Sequence, residues 1–229
     1  IPEFYELLDY CYKQDTLKNK TIILTTNLTN VNPKMTDWLP KLKSWVVYGS
    51  IDGLNERQEY IRYPSSFDKV VENLNFYTKL LKKHGNGKIT FSPAIQLLNI
   101  DTLDEMIKWF IDFADGDFAG DNGRDLFDIS WLCQVWYPKI CNYDIAPADY
   151  KNYVADKLSK SIDNFKKYKQ ITHYYKNQIE NLRLDPLSEN EKNDFQSSFI
   201  RYNDTQDKHR GKTTWRQLLP RLEKALING

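Results

Sequence analysis

Polar side chains follow each of four short apolar segments of the chain, and they are the first candidates for chemistry. The segments end at Thr26-Asn27, at Ser50-Ile51-Asp52, at Ile95-Gln96 and at Cys133-Gln134. Amide, hydroxyl and carboxylate groups would then meet at the carboxyl edge of a parallel sheet, where α/β proteins bind ligands. Such residues also cap helices and satisfy loop backbone, so the spacing leaves a ligand site and a structural role equally open.

Arg62 follows Asp52 by ten residues, within the same polar connection. A guanidinium at this edge could hold a carboxylate through two parallel hydrogen bonds. A solvated surface arginine is the simpler alternative, and position alone favours it.

Motifs for metal binding and nucleophilic catalysis are missing from the sequence. The three histidines are far apart, and the three cysteines, Cys11, Cys133 and Cys141, form no Cys-x-x-Cys pair. The sequence therefore predicts no metal site in this chain. Cys133 and Cys141 are interpreted as ordinary buried thiols, with metal ligation beside a third group as the alternative.

Strands and helices alternate along the first two thirds of the chain. Strands are predicted over 21–26, 45–51, 88–97 and 126–131. Helices are predicted over 3–14, from Asn32-Pro33, over 65–85 with Ser65 and Asp68 as a capping pair, and from a cap at Asp101. This order at short spacing predicts right-handed crossovers and a parallel α/β sheet or barrel. The segment 21–26 is apolar on both faces, which predicts a buried strand.

After about residue 147 only helices are predicted. They cover 147–168, 171–182, a segment that begins at a Ser188–Glu191 capping box, and 212–227. The sequence thus divides into an α/β region at 1–147 and a helical region at 148–229.

Composition and charge exclude several classes of protein. Lys plus Arg is 32 and Asp plus Glu is 31, a net charge of +1. We therefore expect no nucleic-acid partner. No apolar run approaches the roughly 18–20 residues of a membrane span, and no signal peptide is visible. No membrane partner is expected, and the cytoplasm is the expected compartment.

Three segments, in this order and spacing, resemble radical S-adenosylmethionine enzymes. Thr-Asn-Leu-Thr at 26–29 is similar to the element after the third strand of that family. Gly-Ser-Ile-Asp-Gly at 49–53 and Glu-Tyr-Ile-Arg at 59–62 are similar to its fourth-strand element and the following arginine. The segments 202–210 and 215–222 resemble the closing part of members with a short extension called a twitch domain.

The resemblance implies a fold, a cofactor and a set of site residues. The fold would be an incomplete TIM-like (β/α) barrel with parallel strands, lacking its first two strands, at 1–147, with a helical C-terminal extension at 148–229. A [4Fe-4S] cluster would cleave S-adenosylmethionine to a 5′-deoxyadenosyl radical, which abstracts hydrogen from an unknown substrate. By resemblance Ser50 and Arg62 would hold the cofactor's methionine carboxylate or ribose. Asn27 and Asp52 would line or brace the site, and Gln96 would lie near the adenosine.

Two family elements have no counterpart in the sequence: the cluster motif Cys-x-x-x-Cys-x-x-Cys and the Gly-Gly-Glu-Pro element. Both would precede residue 1, so the chain is expected to be an inactive fragment. S-adenosylmethionine and the [4Fe-4S] cluster would belong to the full-length parent, with neither expected bound to this chain. The strand at Thr21–Thr26 would then be an edge. An apolar edge favours pairing with another copy or a swapped element, which predicts a homo-oligomer.

Two other classes of function are open from the residues. A non-catalytic barrel-like module could bind a sugar, peptide or nucleotide, with Trp109, Trp131, Trp136 and Tyr137 as stacking surfaces. A hydrolase could use Asp52, Glu56 or Asp128 as acid and base, although no carboxylate pair at a defined spacing supports it.

Overall fold

A four-stranded parallel sheet forms the centre of the α/β region. A computed structural model describes residues 2–118, 126–130 and 132–228. The strands in chain order are β1 (Thr21–Thr26), β2 (Ser44–Gly49), β3 (Gly87–Phe91), β4 (Ala94–Ile95), β5 (Phe127–Ile129) and β6 (Cys133–Gln134). The sheet has the order β1-β2-β3-β5, while β4 and β6 form a separate parallel pair. The parallel α/β prediction is therefore confirmed.

Helices connect these strands and cover one face of the sheet. They are α1 (Pro2–Lys13), α2 (Met35–Trp38), α3 (Asn55–Ile61), α4 (Phe67–His84) and α5 (Leu103–Ala114). Helix α4 buries an apolar stripe that includes Val70, Leu74 and Leu81 and packs against β3. Gly85 ends α4 at φ +69°, a conformation that glycine adopts without steric cost.

The sheet has one covered face and one open face. On the covered face Trp45, Val47 and Phe91 are buried, and the ring of Phe91 stacks on Phe110 of α5 with centroids 4.3 Å apart. Gly87 is required beside Trp45, because a Cβ atom there would lie 2.2 Å from the indole. The open face carries the alternate residues of each strand, which are mostly polar.

Strand β1 lies at the edge of the sheet, as expected, but it is not buried on both faces. Its residues alternate between exposed and half-buried, and the side chain of Ile23 is 65% exposed on the open face. The prediction of a fully buried strand is wrong here, because no described element packs on that face of β1.

The region after residue 147 is helical, as predicted. It contains α6 (Ala148–Ser161), α7 (Lys169–Leu182), α8 (Glu189–Arg210), α9 (Trp215–Leu218) and α10 (Pro220–Asn228). The Ser188–Glu191 capping box is confirmed at the start of α8. The single helix predicted over 212–227 is instead two, because the chain leaves helical geometry at Leu219 and Pro220 begins α10.

Several local predictions are wrong for identifiable reasons. Ser66, and not Ser65, precedes α4, and the first amide of that helix donates to the carboxylate of Glu59 at 3.0 Å. The strand predicted over 88–97 is interrupted at Pro93, which has no backbone N–H for a sheet. Asp101 does not cap α5, because its carboxylate pairs with Arg57.

One prediction falls partly outside the described residues: the Trp131 end of the strand predicted over 126–131. Within the described part of the chain, no helix combines the length and the apolar character needed to cross a bilayer.

Candidate functional site

A cavity of about 620 Å³ lies on the open face of the sheet. The parallel register arranges much of its lining in rows across the strands. The upper row, at the carboxyl ends, is Ser50, Ser92 and Ser130; the middle row is Tyr48, Thr90 and Asp128; the lower row is Val46 and Lys88. The hydroxyl of Ser130 donates to that of Ser92 at 3.1 Å, which ties two strands together at the upper row.

Asp52 and Arg62 form an ion pair at the rim of this cavity. Asp52 is buried, and its Oδ2 accepts from Nε of Arg62 at 2.7 Å while Oδ1 accepts from the amide of Ala94 at 2.8 Å. Both carboxylate oxygens are thereby occupied, so Asp52 positions Arg62 and is poorly suited to general acid–base work. Among the described residues the terminal Nη nitrogens of Arg62 have no hydrogen-bond partner.

Asn99, which the sequence analysis did not single out, holds the rim in place. It is fully buried, and its side-chain amide donates to the carbonyls of Asp52 at 2.8 Å and Ala94 at 2.9 Å. Its oxygen accepts from the amide of Gln96 at 2.8 Å. The side chain of Gln96 is buried and does not line the cavity, so the structure does not bring it together with Ser50 and Arg62.

Asn27 is exposed at the end of β1. Its Oδ1 accepts from the amide of Thr29 at 3.2 Å and from the hydroxyl of Thr29 at 2.8 Å, a local turn that asparagine commonly makes. It lines a neighbouring groove of about 540 Å³ beside β1, and Ser50 borders both this groove and the open-face cavity. The structure thus groups Ser50, Asp52 and Arg62, with Asn27 on the far side of Ser50.

Lys88 and Asp128 form a second ion pair, lower in the cavity. Lys88 Nζ lies 2.9 Å from Asp128 Oδ2, and the two side chains are 34% and 21% exposed. The alternation of polar residues at 88, 90 and 92 and at 128 and 130 was the available signal in the sequence. It indicates that one face of these strands is polar, because strand side chains alternate with a period of two.

The cysteines do not converge on a metal centre. Cys133 is exposed and lines the cavity, so its interpretation as a buried thiol is wrong. Cys141 is half-buried, and burial raises the pKa of its thiol. Across the ranges that the structure describes, no group of three or more His, Cys, Asp and Glu residues could hold a metal ion.

The residues proposed for stacking and for hydrolysis are dispersed. Trp109 packs among core aromatics, whereas Trp136 and Tyr137 are 58% and 87% exposed; Trp131 lies outside the described residues. Glu56 lines a separate groove, apart from the cavity that Asp128 lines. The described carboxylates therefore form no acid–base pair at the rim.

Comparisons with known proteins were made at three levels, and no protein-family model, curated protein or solved structure matches the chain. The rim and the polar rows of the open-face cavity are therefore the observations from which a function can be proposed.

Proposed function

We propose that this chain is part of a radical S-adenosylmethionine enzyme and forms the side of its barrel that binds the cofactor's methionine end. The observation that carries the proposal is the Asp52–Arg62 pair. A buried carboxylate fixes Nε of the guanidinium beside Ser50, at the carboxyl end of β2. These are the residues to which the resemblance assigns the cofactor.

The arrangement of the sheet supports a partial barrel. Four parallel strands follow one another in the sheet in chain order, helices cover one face, and the other face is polar and open. A (β/α) barrel likewise has parallel strands in chain order, helices on the outer face and ligands bound at the carboxyl ends of its strands. The proposal includes the division into a barrel region at 1–147 and an extension at 148–229, and a cytoplasmic location.

The rim residues fit the methionine end of S-adenosylmethionine. The Nη nitrogens of Arg62 can take a carboxylate through two parallel hydrogen bonds, and the Ser50 hydroxyl can donate or accept nearby. The cavity volume of about 620 Å³ lies within the range of small-molecule sites. In such an enzyme the bound cofactor supplies hydrogen-atom abstraction.

The described residues do not fit a [4Fe-4S] cluster. Such clusters are held by several cysteine thiolates, and Cys11, Cys133 and Cys141 belong to no described metal-binding group. The proposal therefore assigns the cluster to no residue of this chain. The sequence led us to expect no bound cofactor in this chain, but with the Asp52–Arg62 pair in place at the cavity we now expect the chain alone to bind S-adenosylmethionine, without turning it over.

Calorimetric titration of the full chain with S-adenosylmethionine tests the proposal. Loss of a charge-assisted interaction is worth about 1.5–3 kcal/mol, so Arg62→Ala should weaken binding by roughly 10- to 100-fold. Arg183→Ala is the matched control, because Arg183 also pairs with a carboxylate but is exposed and outside the cavity. The proposal fails if the folded chain does not bind at millimolar cofactor, or if the two variants behave alike.

A second candidate function is a non-catalytic binding module. The exposed rings of Trp136 and Tyr137 favour it, since planar or sugar ligands stack on such surfaces. In that case Trp136→Ala should abolish adenosine binding and Arg62→Ala should leave it unchanged. The cofactor-site proposal instead expects Arg62→Ala to weaken binding.

A further inference from the structure

The geometry points to an uncharged, multiply hydroxylated ligand group, of the sugar or cyclic polyol class, bound on the floor of the open-face cavity. The floor comprises Val46, Tyr48, Lys88, Thr90 and Asp128. The inference rests on the proposed function, because it places the substrate below the rim that would hold the cofactor.

The Lys88–Asp128 pair suits a hydroxyl group better than other ligand chemistries. The ammonium of Lys88 has three donors and lies 2.9 Å from Asp128 Oδ2, as an ion pair. A ligand hydroxyl can donate to the carboxylate and accept from the ammonium at the same time. A carboxylate or an ammonium on the ligand could satisfy only one of these two partners and would face a like charge at the other.

The charge balance of the cavity also favours a neutral ligand. The charged side chains among its described lining residues are Arg62, Lys88 and Asp128. Arg62 belongs to the rim, where it is assigned to the cofactor, and among the described floor residues the one cation, Lys88, is already balanced by Asp128. A phosphorylated or dicarboxylate ligand would have to break the floor pair, whereas a polyol would keep it.

The remaining floor residues match the two kinds of surface on a sugar. Tyr48 and Val46 are half-buried and present ring and aliphatic surface on which the C–H face of a sugar can pack. The hydroxyl groups of Tyr48 and Thr90 belong to the same middle row as Asp128 and add further donors and acceptors. Apolar contact and hydrogen bonding are thus offered side by side.

Ligand-detected NMR titration of the full chain tests the inference. The probes are methyl glucoside, methyl riboside and myo-inositol, with glucose 6-phosphate and succinate as charged counterparts. At least one neutral probe should bind more tightly than both charged ones. Asp128→Asn and Lys88→Met should each weaken that binding by about tenfold, the loss of one hydrogen bond to a charged group. Tyr48→Leu should also weaken it by removing the ring surface.

Asp163→Asn is the matched control, because Asp163 forms an exposed ion pair with Lys166 outside the cavity. Thermal unfolding identifies any variant that does not fold, and the three floor variants are read independently. The inference is overturned if none of the neutral probes binds at millimolar concentration, or if glucose 6-phosphate binds more tightly than every neutral probe. It is also overturned if every folded floor variant binds the neutral probe as tightly as the wild type does.

Failure of this inference can be told apart from failure of the proposed function. Arg62→Ala should weaken S-adenosylmethionine binding as stated above and leave the neutral probe unaffected, while Asp128→Asn should weaken binding of the neutral probe and leave cofactor binding unaffected. Polyol binding that depends on Asp128, in a chain that does not bind the cofactor, would retain the floor site and refute the cofactor site.

Discussion

Individual carboxylates in this molecule owe their roles to the cations that they hold. Asp52 is buried and holds Nε of Arg62, whereas Asp185 is about half exposed and binds two lysines. Lys151 and Lys192 are almost fully buried, and their ammonium groups lie 2.9 Å and 2.5 Å from Asp185. A buried ammonium without a partner is costly, so Asp185 stabilises the buried positions of Lys151 on α6 and Lys192 on α8.

We predict that this interaction is lost in acid. The ammonium of Lys192 lowers the pKa of Asp185 from its usual 3.8. The unfolded chain then binds more protons, so the stabilisation is present above pH 3.8 and is lost as the pH falls below it, through the lowered folded pKa. The thermal midpoint of the wild type, measured by circular dichroism from pH 7 to pH 2, should drop across this window.

Asp185→Asn should lower the midpoint at pH 7 and reduce the size of the acid drop. Asp163→Asn serves as the control, since its ion pair is exposed on both sides and should contribute little. Identical acid profiles for wild type and Asp185→Asn would contradict the assignment.

Sequence reasoning identified candidate rim residues, but it could not show which of them share one site. Gly-Ser-Ile-Asp-Gly at 49–53 follows a strand, so Ser50 and Asp52 could be expected at the carboxyl edge. Whether Gln96 shares that edge depends on the break at Pro93 and on the amide of Asn99, which binds three backbone groups. The contact with Asp52 joins two loops that are 47 positions apart, and no local pattern encodes it.

At the scale of elements, local signals located most helices and strands. The capping box before α8 and the glycine after α4 depend only on interactions within one turn of helix, so the local sequence predicts them. Helix α3 was missed because its seven residues, Asn55–Ile61, show no long apolar period. Its position depends on Arg57 and Tyr60, which bond to residues more than forty positions away.

Strand β1 is an edge strand whose backbone groups are paired on one side in the described sheet. One edge of it pairs with β2, and in the described sheet the other edge has no neighbour. Its sequence contains no proline or charge to discourage pairing, and Ile23 is exposed. We predict that the chain self-associates through this edge, and that Ile23→Lys gives a monomer in light scattering at micromolar concentration.

Ile227→Lys provides the matched control, because Ile227 is also exposed, at 71%, but lies on α10. It should leave the association unchanged. A wild-type chain that is monomeric at micromolar concentration, or an equal effect of both lysine variants, would refute pairing at β1.

For the whole molecule, chain order predicts the sheet but not how the helical region is attached. Strands joined by helices at short spacing become neighbours, and the order β1-β2-β3-β5 follows the chain. The attachment of the C-terminal helices instead depends on contacts such as the one between Arg57 and the carbonyl of Leu218, 161 residues apart. Neither Arg57 nor Leu218 belongs to a local sequence pattern that would predict this contact.

Arg57 joins three separate parts of the molecule. Its guanidinium, only 11% exposed, donates to Asp101 at 2.5 Å and to the carbonyls of Leu98 and Leu218, each at 2.8 Å. Burial raises the pKa of Asp101, and the charge of Arg57 opposes that rise. Removal of the arginine would leave a largely buried carboxylate, 19% exposed, without this partner, which costs far more than the loss of an exposed ion pair.

We predict that Arg57→Ala lowers the free energy of unfolding in urea by about 3–5 kcal/mol. Arg183→Ala, which breaks an exposed pair, should lower it by less than about 1 kcal/mol. Because much of the cost is the stranded charge of Asp101, adding Asp101→Asn to Arg57→Ala should restore part of the loss. A double variant whose loss of stability equals the sum of the losses in the two single variants would contradict this expectation. Arg57 would then hold the helical region on the sheet through its contacts with the Leu98 and Leu218 carbonyls, with little contribution from the Asp101 carboxylate.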